Sequence, residues 1–406
     1  MQKSYDVAVI GAGPAGSTAA FHLAEQGFSV LVLDQCTFPR DKICGDALSG
    51  GVCYEIQRMN PEWLKALDQS AFPVFGTHGV RFFAPNGQSL DLELPESKYK
   101  NDFPGYLATR MDFDSFLVEK ALNHPKINFL RPAKLLAFVA EEQEYVLHSS
   151  QGDFHCKYMV GADGAQGVVA KGLGLAGMHK KHYSAGLRQY YSGVSGFSER
   201  GLIELHFIPE VLPGYLWVFP LADGRANVGI GMRSDVIARK HIHLKQVMER
   251  CLKEHPALKN RFLNAQAMEK PKGFGLPLGS KKRKLSSGRA LLVGDAASLI
   301  DPFSGEGIGN AMTSGRMAAQ HIADFESGKI SHFKSYDQAI YRKMGKELKV
   351  SSIMQRLLAF PALFNLIVKK ANKNQAFQQL LMNMFNDVDL KAQLTKPSFY
   401  FQLFFK

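Results

Sequence analysis

Apolar positions open the chain with a buried-strand run over residues 5–10. A helical spacing follows over 15–26, with Ala20, Leu23 and Ala24 on one face, and then a second buried run over 28–33. Gly27 supplies the stop between helix and strand. Strand, glycine turn, helix and strand in that order predict the opening βαβ unit of a doubly wound sheet. The pattern is irregular over 34–70. Residues 80–94 read as a hairpin around Pro85-Asn86-Gly87, and 112–122 as a helix ending before Pro125. A β meander is expected over 134–160, turning near Glu141-Glu142 and Gln151-Gly152. Residues 176–284 are β-rich, with a hairpin turning at Asp223-Gly224 between strands 215–221 and 227–232, and then a helix over 244–253. A buried strand returns over 289–293, a helix follows over 307–325, and helical spacing runs from 331 to Lys396-Pro397.

Length and composition narrow the class. A chain of 406 residues exceeds the usual single core, so two or more lobes are expected. Apolar residues at 46% and charged residues at 21% describe an ordinary globular protein. No apolar stretch reaches the roughly 18 residues of a membrane span, and the N-terminal pattern does not read as a secretory signal. Five cysteines without paired spacing and 13 histidines without ligand spacing argue against a disulfide framework and against a metal site. A reducing, cytoplasmic setting is the expectation. The net charge is +12, and residues 331–406 alone hold 12 Lys and Arg against four acids. No nucleic-acid motif accompanies that charge, so a solvated basic surface, an anionic membrane surface or an acidic substrate remain. Lys281-Lys282-Arg283-Lys284 is a solvated loop or a contact for an anionic partner.

Two segments carry the chemistry. Gly11-Ala12-Gly13-Pro14-Ala15-Gly16 sits between a predicted strand and a helix, with Asp34 and Gln35 closing the next strand. Gly11 permits the tight turn, Gly13 the approach of a pyrophosphate, and Gly16 close packing of helix on strand. The helix N-terminus offers amides to phosphates, and Asp34 offers acceptors to a ribose. This fingerprint serves NAD and FAD alike. The second segment runs from Leu291-Leu292-Val293-Gly294-Asp295 through Asp301-Pro302 to Gly305, Gly307 and Ile308. A strand ending in an acid, a proline turn and glycines opening a helix suit the flavin half of FAD. Asp295 would take a ribityl hydroxyl, and the turn and helix would serve the pyrimidine ring.

Together with Ala162-Asp163-Gly164, these segments make the chain resemble FAD-dependent oxidoreductases of the p-hydroxybenzoate-hydroxylase-like fold over about residues 4–330. Residues 38–49, containing Arg40, Cys44 and Gly45, and the Tyr215-Leu216-Trp217-Val218-Phe219-Pro220 run followed by Asn227 to Gly231 resemble the geranylgeranyl reductase family. The resemblance implies an α/β chain with a Rossmann-like FAD-binding domain from 1–75, 101–175 and 285–330. It implies an inserted antiparallel β-sheet substrate domain from 76–100 and 176–284, and a helical C-terminal region over 331–406. It further implies hydride transfer from reduced flavin N5 to the alkene of a prenyl (geranylgeranyl-type) lipid.

Cys44 then lies near the flavin, or is simply a small buried thiol. Arg40 reaches the adenosine phosphates, and Arg110 lies near the cofactor or at the surface. In a strand, Tyr215, Trp217 and Phe219 share one face and Leu216 and Val218 the other, so the aromatics line a pocket or fill the core. The segment after Asp163 departs from the family, with Gly167 for a serine and Ala170 or Lys171 for an arginine. The electron donor is thus a reduced carrier protein or NAD(P)H. The tail lies at a membrane interface, placing the protein at its inner face, or caps the substrate domain. The rivals are a flavin monooxygenase acting on an aromatic or polyene, and a membrane-associated flavin electron carrier without its own organic substrate.

Overall fold

A computed structural model describes residues 3–93, 104–175, 177–386, 396, 398 and 399. A first sheet runs in the order Ser286–Ser287, Ala290–Leu292, Gly152–Gly161, Ser4–Ile10, Val30–Leu33 and Ile127–Leu130. The meander strands Leu135–Ala140 and Tyr145–Ser149 attach to it. Ser4–Ile10 pairs in parallel with Val30–Leu33 on one side and Gly152–Gly161 on the other. The chain thus leaves the first strand in both directions, which makes a switch point. Register places Leu33, Ile10, Gly161 and Leu292 side by side. The next residues in the chain are Asp34, Gly11, Ala162 and Val293, so all the dinucleotide motifs leave the sheet along one edge.

The second sheet has the order Gln266–Ala267, Tyr183–Ser192, Arg225–Arg233, Tyr215–Pro220, Ile203–His206, Gly79–Phe83 and Ser89–Glu93, with Lys272–Pro277 also paired to Tyr183–Ser192. It is antiparallel except where Ile203–His206 runs parallel to Gly79–Phe83. Alternation sorts its two faces. Leu216, Val218, Val228 and Ile230 pack under the Leu244–Glu254 helix, through Val247, Met248 and Cys251. Tyr215, Trp217 and Phe219 belong to the opposite face.

One expectation needs correction. The stretch read as irregular holds the helices Gly50–Met59 and Pro61–Asp68. Gly50-Gly51 and Pro61 look like breakers, yet Pro61 takes the first helical position and the Asn60 side chain caps by accepting from Glu62 N. Val52, Ile56 and Met59 then bury one stripe. The tail is three helices, Lys334–Leu357, Pro361–Lys373 and Gln375–Asn386, and residues 387–395 lie outside the described set, as do 400–406 of the terminal aromatic run. Leu358, Val368, Ala371 and Leu381 share a buried cluster with Phe82, Leu90, Leu92 and Phe207. The tail therefore covers the aromatic face of the second sheet, and Asn372 and Gln378 donate to the carbonyls of Ser89 and Asp91. Among the described residues no single helix is long and apolar enough to cross a membrane.

Candidate active site

The glycines of the first motif have different reasons to be glycine. Gly11 holds φ +102, and a Cβ there would stand 2.5 Å from Ala162 O. At Gly16 it would stand 1.8 Å from Gly11 O. Those two are required by the protein's own packing. A Cβ at Gly13 would meet only Arg40 Nη2, at 3.6 Å. No described residue demands glycine there, and the space suits a diphosphate beneath a guanidinium. The Pro14–Glu25 helix that follows has Pro14 at its start, no side-chain cap and no acid in its first turn, so its amides stay open to an anion. Asp34 is buried, and its two oxygens accept from the backbone N–H of Ala12 (2.7 Å) and Cys36 (2.8 Å). It shapes the glycine loop and keeps one lone pair per oxygen for a ribose. Gln35 is exposed beside it.

Asp163 Oδ2 accepts from Val169 N at 2.9 Å, while Oδ1 is buried with no hydrogen-bond partner among the described residues. Burial raises this carboxyl above its ordinary value. A Cβ at Gly167 would fall 2.0–2.3 Å from the Asp163 carboxylate. The glycine that stands where a serine was expected is thus where the Asp163 side chain lies. Lys171 turns back to its own loop, donating to Gln166 O.

The second half of the site meets the first at Gly294, which holds φ +58 and would place a Cβ 3.1 Å from that of Ala15. Asp295 pairs with Lys42 at 2.7 Å, so the acid assigned to a ribityl hydroxyl has a partner the sequence reading did not give it. Asp295 Oδ1 faces Gly307, 3.7 Å from a Cβ there. The turn itself is tied by Asp301 Oδ1, which accepts from the N–H groups of Phe303 and Ser304. Gly305 takes φ +74, and the helix Ile308–Glu326 starts at buried Ile308 with neither a side-chain cap nor an acid in its first turn. Tyr215 reaches this turn and donates to Ser304 O. Gln355 of the tail donates to Pro302 O at 2.6 Å. The two open helix starts, the unfilled approach at Gly13 and the orphan oxygen of Asp163 fit FAD. Gly11–Gly16, Arg40 and Asp34 would hold its ADP half, and Asp295 with the Pro302–Ile308 turn its flavin half.

Between these halves lies a buried ionic cluster. Arg110 is not a surface arginine; it is buried and forks onto Asp114 with two 2.7 Å bonds, and Arg40 adds a third at 2.8 Å. Burial alone would raise the Asp114 carboxyl, but Arg110 and Arg40 outweigh it and hold the group below its ordinary range. The Cys44 thiol lies within electrostatic reach of Arg110. Gly45 faces the aromatic strand, where a Cβ would stand 3.0 Å from Phe219 and 3.7 Å from Trp217 Nε1. Trp217 lies flat across the second sheet, since a Cβ at Gly229 would fall 2.1 Å from its ring and one at Gly231 3.7 Å away. Its indole N–H donates to Asn227 Oδ1, and Asn227 Nδ2 donates to Cys44 O and to Asp46 Oδ2.

Asp46 escaped the sequence reading, as did Lys42, Asp114 and Asn227. Lys42 and Asp46 stand inside the 38–49 motif and Asn227 opens the glycine strip, so a signal existed. Asp114 gave none, because a polar residue inside a helix reads as surface. Asp46 is fully buried at φ +65 and accepts from Tyr190 Oη at 2.6 Å. Burial lifts its carboxyl to about 6, against the hydrogen bonds of Tyr190 and Asn227 and the charges of Arg188 and Arg110. A raised acid binds its proton more tightly folded than unfolded, so its contribution is complete below the unfolded value and fades as pH rises through about 6. At 1.36 kcal/mol per unit the span is roughly 3 kcal/mol. The apoprotein of Asp46→Asn should lack this fall between pH 4 and 7, which denaturant melts of both proteins will read. An identical slope would show that Asp46 is ionised throughout.

Comparison with known proteins agrees with this geometry. A family model described as an FAD binding domain matches residues 101–340, and one described as an FAD dependent oxidoreductase matches residues 6–53. The chain is 31% identical over 333 residues to digeranylgeranylglycerophospholipid reductase 1 of Methanothermobacter thermautotrophicus, covering 80% of this chain and 78% of the relative. It is 27% identical over 373 residues to a menaquinone reductase of Mycobacterium tuberculosis, covering 89% and 86%. A solved geranylgeranyl bacteriochlorophyll reductase-like protein from Thermoplasma acidophilum shares the fold, with TM-score 0.77, 24% identity and 91% of each chain covered. With the glycine loop, the proline turn and the aromatic strand meeting at one sheet edge, the chain belongs to the geranylgeranyl reductase family of FAD-dependent oxidoreductases.

Proposed function

We propose that this oxidoreductase saturates carbon–carbon double bonds of a prenyl chain carried by a lipid. The observation that supports the reading best is the seam between the Cys44-Gly45 loop and the aromatic face, where Trp217 lies flat on the glycine strip and Tyr215 is tied to the Pro302–Ile308 turn. The names of the two relatives point the same way, since each is a reductase and both named substrates carry isoprenoid chains. Reduced FAD supplies hydride when bound.

The chain's own residues would do the rest. Trp217, Tyr215 and Phe219 present an apolar wall that excludes water and aligns an extended chain. Gly45 keeps the opposite wall thin. Each saturation also takes a proton. Tyr215 is committed to Ser304 O and burial raises its hydroxyl far above its ordinary value, so we assign the proton to the Cys44 thiol beside Arg110. For the electron donor we favour a reduced carrier protein, because the one cation of the 163–171 segment folds back onto its own loop; efficient reduction by NADPH alone would contradict that choice.

Trp217→Leu tests the seam. Its FAD content should equal the wild type's, while reoxidation of the dithionite-reduced protein by a geranylgeranyl lipid should slow about ten- to a hundredfold, the usual penalty for misplacing a substrate by an ångström. An unchanged rate would overturn the assignment of this face.

A further inference from the structure

The outer side of the tail carries a feature that the site does not use. The helices Lys334–Leu357 and Pro361–Lys373 meet at an elbow bent by 105°. At its tip Phe360 is 63% exposed, flanked by exposed Ala359 and Ala362. An apolar tip of this kind is not needed by the fold beneath it. Leu358 and Val368 already fill the core, and Phe364 already packs its ring against that of Phe207 at 4.7 Å.

The approach to the tip is basic. Arg342, Lys349 and Arg356 follow one another at intervals of seven residues, which puts them on one side of the long helix that leads to Phe360, and all four are exposed. Lys369 and Lys373 continue the charge beyond the bend. At the other end of the long helix, Lys282, Lys284 and Lys334 line a groove of about 650 Å³ with Arg342. Exposed cations around an exposed aromatic match an anionic bilayer, in which the ring enters the interface and the cations meet the headgroups. The elbow also stands beside the site, since Gln355, less than two turns before Phe360, holds Pro302 O.

We propose that the Leu358–Phe360 elbow and the basic side of the Lys334–Leu357 helix dock this protein on an anionic membrane surface, with the tip beside the entrance through which a lipid chain reaches the aromatic face. The docking surface stands on exposure and charge; its role in substrate entry rests on the reading of the function given above. An acidic electron-carrier protein is the competing occupant.

Co-sedimentation of the FAD-loaded full chain with sucrose-filled vesicles of phosphatidylcholine alone, or with 30–40% phosphatidylglycerol, tests it, using no prenyl lipid. The wild type should bind the anionic vesicles, and raised salt should release it. Phe360→Asp, and separately Arg342→Glu with Lys349→Glu, should each weaken binding at least tenfold, each cation at an anionic surface being worth about fivefold. FAD content and activity on detergent-dispersed lipid should stay unchanged in both. Equal affinity for both vesicle types, retention by Phe360→Asp, or capture of an acidic carrier protein abolished by the charge-reversal variant without any vesicle binding would each overturn the proposal. If the wild type binds vesicles yet leaves dispersed prenyl lipid untouched, the functional reading falls and the docking surface stands.

Discussion

Gly13→Val is expected to give a folded, colourless protein. A Cβ at residue 13 meets, among the described residues, only the end of Arg40 at 3.6 Å, so the apoprotein should melt close to the wild type. The same side chain occupies the approach of the diphosphate. Overpacking a close contact costs about 1–3 kcal/mol, and a blocked backbone approach more, so FAD should bind at least ten- to a hundredfold more weakly. Gly16→Ala is the control with the opposite signature. Its Cβ would stand 1.8 Å from Gly11 O, so the loop must move and the fold should weaken before any question of binding arises. Absorbance of purified protein at flavin wavelengths and apoprotein melts separate the two. A yellow Gly13→Val with full occupancy would remove Gly13 from the cofactor site.

The second large effect is expected at Arg110. Arg110→Met keeps an unbranched apolar stem but leaves Asp114 fully buried with Arg40 alone. Breaking a buried pair from one side costs about 3–5 kcal/mol, because the remaining carboxylate has lost most of what replaced its water. The loss should grow with pH, since Asp114 is held below its ordinary value in the native protein and its contribution is present above that value and lost on acidification. The double variant with Asp114→Leu should recover much of the loss, and denaturant melts will show whether it does. Additive losses would mean that the two side chains do not act as a pair.

These residues also show what the sequence makes visible. The first glycine motif is legible because the reasons for Gly11 and Gly16 lie within a few residues or one strand away, and a strand-turn-helix pattern announces them. The edge where four strands end is equally legible, since each strand is a short apolar run followed by its motif. The ionic centre is not. Asp46 finds Tyr190 and Asn227 at separations of 144 and 181 residues, and Lys42 finds Asp295 at 253. No local period encodes such pairings; only the meeting of the two sheets creates them. The tail lies between these cases. Its helical spacing is plain, but whether it covers the site or lies apart is decided by contacts such as Phe207 with Phe364. The helices over 50–68 were hidden because their glycines and proline occupy starting positions, where breakers do no harm.

In the function proposed above, this flavoprotein adds two hydrogens to a prenyl double bond at the seam of the Cys44-Gly45 loop and the aromatic strand. Mass spectrometry of the lipid after anaerobic incubation of the dithionite-reduced, FAD-loaded protein with a geranylgeranyl lipid tests it directly. The account predicts product heavier by 2 Da for each double bond reduced, by the mass of two hydrogens. Unaltered lipid under those conditions, with an oxygenated product appearing only when air is admitted, would contradict it.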